Sequence, residues 1–473
     1  MDSSPLASSA SSNTTVDRYN PIYENICMVY SRNDHTILSE RKFFPLFDID
    51  LFAKKVHLEH NGIHQSVVGE YFVWEKQQGQ TWNGVVTVQF NITEFELWFI
   101  ELVLTSSKLN YEYVRGGDKV TTTQKITELF EKMLKYNVEN DKWDAIGKLK
   151  FSKSVEFFTS HGQPVEAVLP AFPCKSSNQE KVYGTMPDKG EELALQRLIK
   201  FAREVKKIYP PGFIMWIVSD GHVFSDCIAV DDSVVNEYSA ALKKLYRSIC
   251  DDDDCIRFRS LPEIFKLTRS FNCSMVDHVE LGHYLDTEID PESEICRKIL
   301  MNSCDTDNGK LYMEVHTPGH PRLSLFRGFS KFMVEDLQFH PTVRNISRKK
   351  LKKIASQVAF EMIKRNDAYS NLVELMFPFH LRFSIHAHNN AGPKFGISLL
   401  RGQCSPINSI QDHKEPQHID LLHIPTPWHN SVVKIDDQYF AVKAKKIVEE
   451  VDKGNGFGHW DNINLHYIYI AKQ

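Results

Sequence analysis

Val165–Phe172 reads VEAVLPAF and Phe213–Ser219 reads FIMWIVS, two short, almost wholly apolar runs. Both are shorter than a usual helix, and neither alternates as a strand with one wet face does. Strands covered on both sides, as in a parallel sheet, carry this pattern. Between the two runs, Asp188 followed by Glu191 forms a capping-box-like helix start. Leu195, Leu198, Ala202 and Val205 then share one helical face, and Pro210-Pro211-Gly212 ends the helix. After the second run come a polar loop at Asp220–Asp232, a helix with Val235, Tyr238, Leu242 and Leu245, and a third strand at Ile256–Leu261. Strand–helix–strand–helix–strand predicts an α/β fold with a Rossmann-like parallel sheet. Ligands bind such sheets beyond the carboxyl ends of the strands, so the loops Pro170–Lys181 and Asp220–Asp226 share the edge of interest.

On the N-terminal side, Ile126, Leu129, Phe130 and Met133 predict an amphipathic helix over Thr123–Tyr136. Residues 21–120 read as strands and turns, with β-forming runs at Val85–Phe90 and Glu94–Leu104, and form an N-terminal β-rich accessory segment. Residues 1–20 are rich in Ser, Asn and Thr and are expected to be disordered. On the C-terminal side, Leu351, Ile354, Ala355, Val358 and Met362 predict a long helix from Ser347 through the 360s. His380–His388 (HLRFSIHAH) alternates: Leu381, Phe383 and Ile385 point one way, and Arg382, Ser384, His386 and His388 the other. Asn389–Pro393 reads as a turn, Lys394–Leu400 as a return strand, and C-terminal antiparallel strands are expected near Ser431–Ile435 and Tyr439–Lys443. The domain plan is thus 1–20, 21–120 and a main domain over 121–473.

The 473 residues are 42% hydrophobic and 25% charged, with a formal net charge of −5. That is an ordinary globular composition, and it lacks the basic excess of a nucleic-acid binder. No apolar run approaches the roughly 18–20 residues that cross a bilayer, and the first residues lack the apolar core of a signal peptide, so no membrane partner and a cytoplasmic location are expected. Nine scattered cysteines without a C-x-x-C pair suggest free thiols.

Arg382, Ser384, His386 and His388, with Lys394 beyond the turn, form the densest polar cluster. Such a face suits an anionic substrate that undergoes proton transfer; a solvated strand face is the alternative. The loop Phe172–Lys181 brings Lys175, Asn178 and Lys181, groups able to bind carboxylate or phosphate oxygens, without the glycines of a nucleotide-binding loop. His222 and Asp226 form a candidate acid–base pair, and Arg327 and Lys331 flank Gly328 as a candidate phosphate clamp. Trp428 and His429 precede a strand, where Trp428 would equally serve a core. His386, His388 and His429 would be the members of a metal site, but no metal is expected. Asp251–Asp254 reads as an acidic turn, Arg348–Lys353 as a solvated first helical turn, and His418-Ile419-Asp420 as a chance match to an iron-oxygenase motif.

The order and wording of these segments carry more than each alone. LPAFPCKSSN (169–178) with Lys181-Val182, Pro187-Asp188 and Gly190-Glu191, then DGHVFSD (220–226), Arg327–Lys331 before Glu335-Asp336-Leu337, and LRFSIHAH (381–388) through Gly392-Pro393-Lys394-Phe395, resemble the pyoverdine/dityrosine biosynthesis family of isocyanide synthases. The resemblance runs from about Thr121 to the C-terminus and marks 121–473 as an isocyanide synthase-like domain with a modified Rossmann fold. It implies condensation of the α-amine of an aromatic amino acid, expected to be tyrosine, with the keto carbon of ribulose 5-phosphate. The product would be an isocyanide or N-formyl compound that feeds dityrosine spore-wall or secondary-metabolite synthesis. No cofactor is implied, and a downstream cytochrome P450 oxidase is the implied partner. In that chemistry His386, His388, His222 and Asp226 would move protons, and Lys175, Lys181, Arg327, Arg382 and Lys394 would clamp anions. Lys175 would alternatively form a Schiff base if burial lowered its pKa. A formyltransferase with another one-carbon donor and a non-catalytic precursor-binding scaffold remain as alternatives.

Overall fold

A computed structural model describes residues 120–265, 276–302, 308–400 and 425–471, apart from 342, 378, 387, 436, 437, 455 and 464, together with the backbone of four N-terminal strands. Those strands, β1 (Asn25–Ser31), β2 (Ile37–Phe43), β3 (Gly69–Lys76) and β4 (Gln80–Thr87), form one sheet in the order β2-β1-β4-β3. The expected run at Glu94–Leu104 and the segment 1–20 lie outside the described residues.

Helices α1 (Val120–Met133) and α2 (Lys148–Ser160) lead into β5 (Val165–Pro170). Next come α3 (Lys189–Ile208), β6 (Phe213–Val218), the single turn α4 (Gly221–Phe224), α5 (Asp232–Ile249) and β7 (Ile256–Arg259). Five helices follow: α6 (Leu261–Phe265), α7 (Pro291–Asn302), α8 (Asn308–His316), α9 (Pro321–Leu337) and the long α10 (Arg348–Met376). Strands β8 (Leu381–Ser384) and β9 (Lys394–Gly396) complete a five-stranded sheet in the order β7-β6-β5-β8-β9, parallel throughout. A second sheet joins β10 (Ser431–Ile435), β11 (Gln438–Val442), β12 (Gly456–Asp461) and β13 (His466–Ala471), with α11 (Ala444–Asp452) between β11 and β12. Its pairings are antiparallel except β10–β13.

The central strands are buried as their apolar runs require: Val165, Ala167, Val168 and Leu169 are fully buried. Phe383 shows one covering layer, its ring stacked 5.2 Å from Phe130 of α1 and 6.4 Å from Phe151 of α2. Arg382, one residue earlier, shows the other, since it reaches Ser370 and Glu374 of α10. The alternation in this strand therefore separates two covered faces rather than core from water. The capping box at α3 is present, with Gly190 N–H donating to Asp188 at 2.7 Å and Asp188 N–H to Glu191 at 2.9 Å. Such a cap contributes about 1 kcal/mol.

One pairing differs from the sequence expectation. Lys394–Leu400 does not return antiparallel: β9 is three residues long and pairs parallel with β8, Arg382 opposite Lys394. The connection makes a double reversal pinned by the buried Asn390. Its amide donates to Tyr136 O (2.8 Å) and Asp141 (3.1 Å), while its carbonyl accepts Gly396 N–H (2.9 Å). Asn390 itself sits at φ 53°, which Asn tolerates better than most residues.

Candidate active site

A cavity of about 220 Å³ opens beyond the carboxyl ends of β5, β6 and β8. Pro170 ends β5, Asp220 follows β6, and Arg382, Ser384, His386 and His388 run along and past β8; all line the cavity, as does Lys394 of β9. Asn366, Tyr369 and Ser370 of α10 and Ser324, Leu325, Gly328 and Phe329 of α9 complete the wall. Charge is thus gathered on the sheet side and apolar surface on the α9 side.

Arg382 is buried, its guanidinium 2.7 Å from Glu374 and 2.9 Å from the Ser370 hydroxyl. Lys394 donates to the same hydroxyl at 3.1 Å, with no carboxylate within ion-pair distance among the described residues. Burial, then the Arg382 charge, pushes its ammonium down to about 8. His388 approaches the Ser384 hydroxyl at 3.0 Å. Burial and the neighbouring His386, Lys394 and Arg382 hold it down to about 3, so it stands neutral. The His386 and His388 rings lie 6.4 Å apart.

Asp220, not singled out from the sequence, belongs to this group. Its Oδ1 is buried without a hydrogen-bond partner, and burial pushes its carboxyl up to about 6. A carboxyl that titrates near neutrality beside an open space suits proton transfer. The signal for it was positional: Asp220 opens the loop after β6, on the edge where ligands were expected. Gly221 holds that loop close, because a Cβ there would fall 2.5 Å from Pro173 O and 2.6 Å from Val235 Cγ1.

The other sequence candidates lie elsewhere. Lys175 is fully buried, 2.8 Å from both Asp188 and Glu191, and donates to Pro427 O at 2.9 Å. Burial acts to lower its pKa, but the two carboxylates hold it above the ordinary value, opposite to what a Schiff-base lysine needs. Asn178 ties Glu335 O and Glu180 N–H. Lys181 pairs with Asp336 and lies 4.5 Å from the Phe332 ring. His222 bonds Asn236 at 2.9 Å, and burial lowers its pKa. Asp226 is gripped by Arg365 (2.6 and 3.0 Å) and His283 (3.0 Å). Burial would raise its carboxyl, but His283, Arg365 and Arg297 hold it well below the usual range. Arg327 and Lys331 are exposed on α9 and do not line the cavity, although Gly328 between them does. Trp428 packs 5.0 Å from Phe172, and His429 lies 5.0 Å from Phe332, its pKa lowered by burial and then by Lys181.

Among the described residues no three His, Cys, Asp or Glu side chains are placed to hold a metal ion, and no helix is long and apolar enough to cross a membrane. The five described cysteines, Cys174, Cys227, Cys250, Cys255 and Cys296, are free thiols. The His418-x-Asp420 motif lies outside the described residues.

A family model described as pyoverdine/dityrosine biosynthesis protein matches residues 155–454. The spore wall maturation protein DIT1 of Saccharomyces cerevisiae is 50% identical over 386 residues, 80% of this chain and 72% of its own. An L-tyrosine isonitrile synthase of Xenorhabdus nematophila is 31% identical over 314 residues, 66% of this chain and 80% of its own. The crystal structure of PvcA from Pseudomonas aeruginosa has the same fold, with a TM-score of 0.57 at 23% identity over 73% of this chain and 99% of that one. The chain belongs to the pyoverdine/dityrosine biosynthesis protein family.

Proposed function

We propose that this protein is an isocyanide synthase acting on an aromatic amino acid, with tyrosine as the preferred substrate and ribulose 5-phosphate as carbon donor. The product is the isocyanide or its hydrated N-formyl form, made for dityrosine or a related metabolite and passed to a cytochrome P450 oxidase. One observation carries the reading: a single cavity joins cations, a near-neutral carboxyl and an aromatic wall. Arg382 and Lys394 supply positive charge for a carboxylate or phosphate, and Phe329 and Tyr369 offer aromatic surface. Relatives named for making isonitriles from L-tyrosine and L-tryptophan support the substrate class.

Amine–ketone condensation needs a base to free the amine and an acid to release the carbonyl oxygen as water. In this reading Asp220, as carboxylate, takes the proton from the ammonium and returns it to the departing hydroxyl. The neutral His388 and the adjacent His386 orient the intermediate and relay protons. Lys175, Asn178, Lys181, His222, Asp226, Trp428 and His429 build the frame around the cavity, and Arg327 and Lys331 lie outside the chemistry.

The purified protein incubated with ribulose 5-phosphate and single amino acids, with products read by mass spectrometry, tests the proposal. An isocyanide or N-formyl derivative of tyrosine whose new carbon is the labelled C2 of the sugar is expected. No modified amino acid of any kind would overturn the reading, and a new carbon without label would point to a different donor.

A further inference from the structure

We infer that Lys394 captures the keto sugar phosphate as a covalent imine before the amino acid reacts. The inference rests on the proposed function, since it assigns the order of events in the same cavity. Its first ground is placement. Lys394 lines the cavity together with Arg382 and Asp220, whereas Lys175 and Lys181 are sealed in ion pairs. Its second is freedom. The Lys394 ammonium is held only by the neutral Ser370 hydroxyl among the described residues, and Arg382, not Lys394, takes Glu374. A lysine that a carboxylate does not hold, crowded by a guanidinium in a low-dielectric wall, releases its proton readily, and the downward shift to about 8 agrees. Arg382 keeps its bonds to Glu374 and Ser370 and lines the same wall, so its charge favours the sugar's phosphate near the amine.

The step balances without a redox partner. Asp220, as carboxylate, takes the proton of the Lys394 ammonium. The free amine adds to the keto carbon, Asp220 returns that proton to the hydroxyl that forms, and water leaves to yield the protonated imine. The α-amine of the amino acid then adds to the same carbon and expels the Lys394 amine. The net change is amine plus ketone to imine plus water, and the iminium is a better electrophile than the ketone for the second addition. Lys394 is therefore a catalytic residue in this scheme, and Ser370 a positioning one.

Borohydride added to the full-length protein with ribulose 5-phosphate alone, followed by peptide mass mapping, tests this. The expected result is a stable adduct on Lys394, adding the mass of the sugar phosphate less one oxygen. Lys394→Arg, which keeps the charge and the bond to Ser370, is expected to melt as the wild type, lose the adduct and lose about a hundredfold or more in kcat. Product formation by the wild type with no adduct, or with adduct only on another lysine, would overturn the inference and leave the proposed function standing. An adduct on Lys394 with no amino acid consumed would do the reverse. Absence of both adduct and product would remove both.

Discussion

Arg382 and Lys394 stand opposite each other in register across the parallel pair β8–β9, so two cations from adjacent strands share one cavity wall. Glu374 compensates the first at 2.7 Å and acts from farther off to raise the pKa of the second. Glu374→Gln should therefore lower the pKa of Lys394 further and enlarge its free-amine fraction at neutral pH. The limb of the kcat–pH profile near pH 8 is expected to move to lower pH, as rates measured from pH 6 to 10 will show.

Asp220 gives a second, lower limb. Its carboxyl titrates at about 6, so activity that needs the carboxylate rises as pH passes upward through that value. Asp220→Asn should erase this limb and reduce kcat by about 10²–10⁴-fold while leaving the melting temperature equal or higher, because a neutral amide is less costly to bury than a carboxylate with one oxygen left without a hydrogen bond. A steady-state pH series on the two proteins reads both effects.

Gly328 separates helix stability from cavity space. It lies in the interior of α9, and a Cβ there would meet nothing within 4 Å. Gly328→Ala should stabilise the protein by about 0.5–1 kcal/mol through helix propensity, with a small effect on rate. Gly328→Leu should keep the fold but fill the cavity, raising KM for the aromatic amino acid. Urea melts and substrate titrations of the two variants distinguish these outcomes.

The buried ion-pair network around Asp226 predicts a loss of stability rather than of chemistry. Arg297 and Arg365 have fully buried side chains, and Asp226 and Asp232 are their counter-charges. Asp226→Ala leaves Arg365 without its main partner and should cost about 3–5 kcal/mol, read by chemical denaturation.

The same carboxylate sets a pH dependence. The hydrogen bonds of His283 to Asp226 and Glu294 raise its pKa to about 9 from 6.5. Its contribution is complete below pH 6.5 and lost as pH rises through about 9, whereas that of Asp226 is complete above ordinary carboxylate pKa values and lost only in strong acid. The melting temperature should fall between pH 6.5 and 9 in the wild type, and that slope should flatten in His283→Ala.

The parallel sheet was legible because Val165–Leu169 is buried on both faces and Phe213–Val218 is buried on one face and half-buried on the other, at Ile214 and Trp216, a covering that apolar composition records. The C-terminal half of the site was legible too: Arg382, His386, His388 and Lys394 all reach the cavity. Lys175 and Lys181 read as ligand clamps because their partners are invisible locally. Asp336 is 155 residues from Lys181, and the pKa of Lys175 is set by its burial against Glu191 and Asp188, which lie 16 and 13 positions on in the sequence but are reached only through the fold. Helix α9 was hidden because its apolar residues lack one clear face, so Arg327 and Lys331 around Gly328 read as a phosphate clamp, whereas both are exposed on that helix. The direction of β9 was hidden as well, because a turn signal at Asn389–Pro393 does not reveal that Asn390 is clasped from Tyr136 and Asp141.

Lys175 donates to Pro427 O, Lys181 O accepts from Ala444 N–H, and Glu180 O from Lys445 N–H. The loop that resembles a substrate grip is thus a rivet between the Rossmann-like core and the last fifty residues. Those residues are no detachable module. A chimera that exchanges this tail between relatives has to carry the matching 175–181 loop and its acidic counterparts, or its halves will not close into one enzyme.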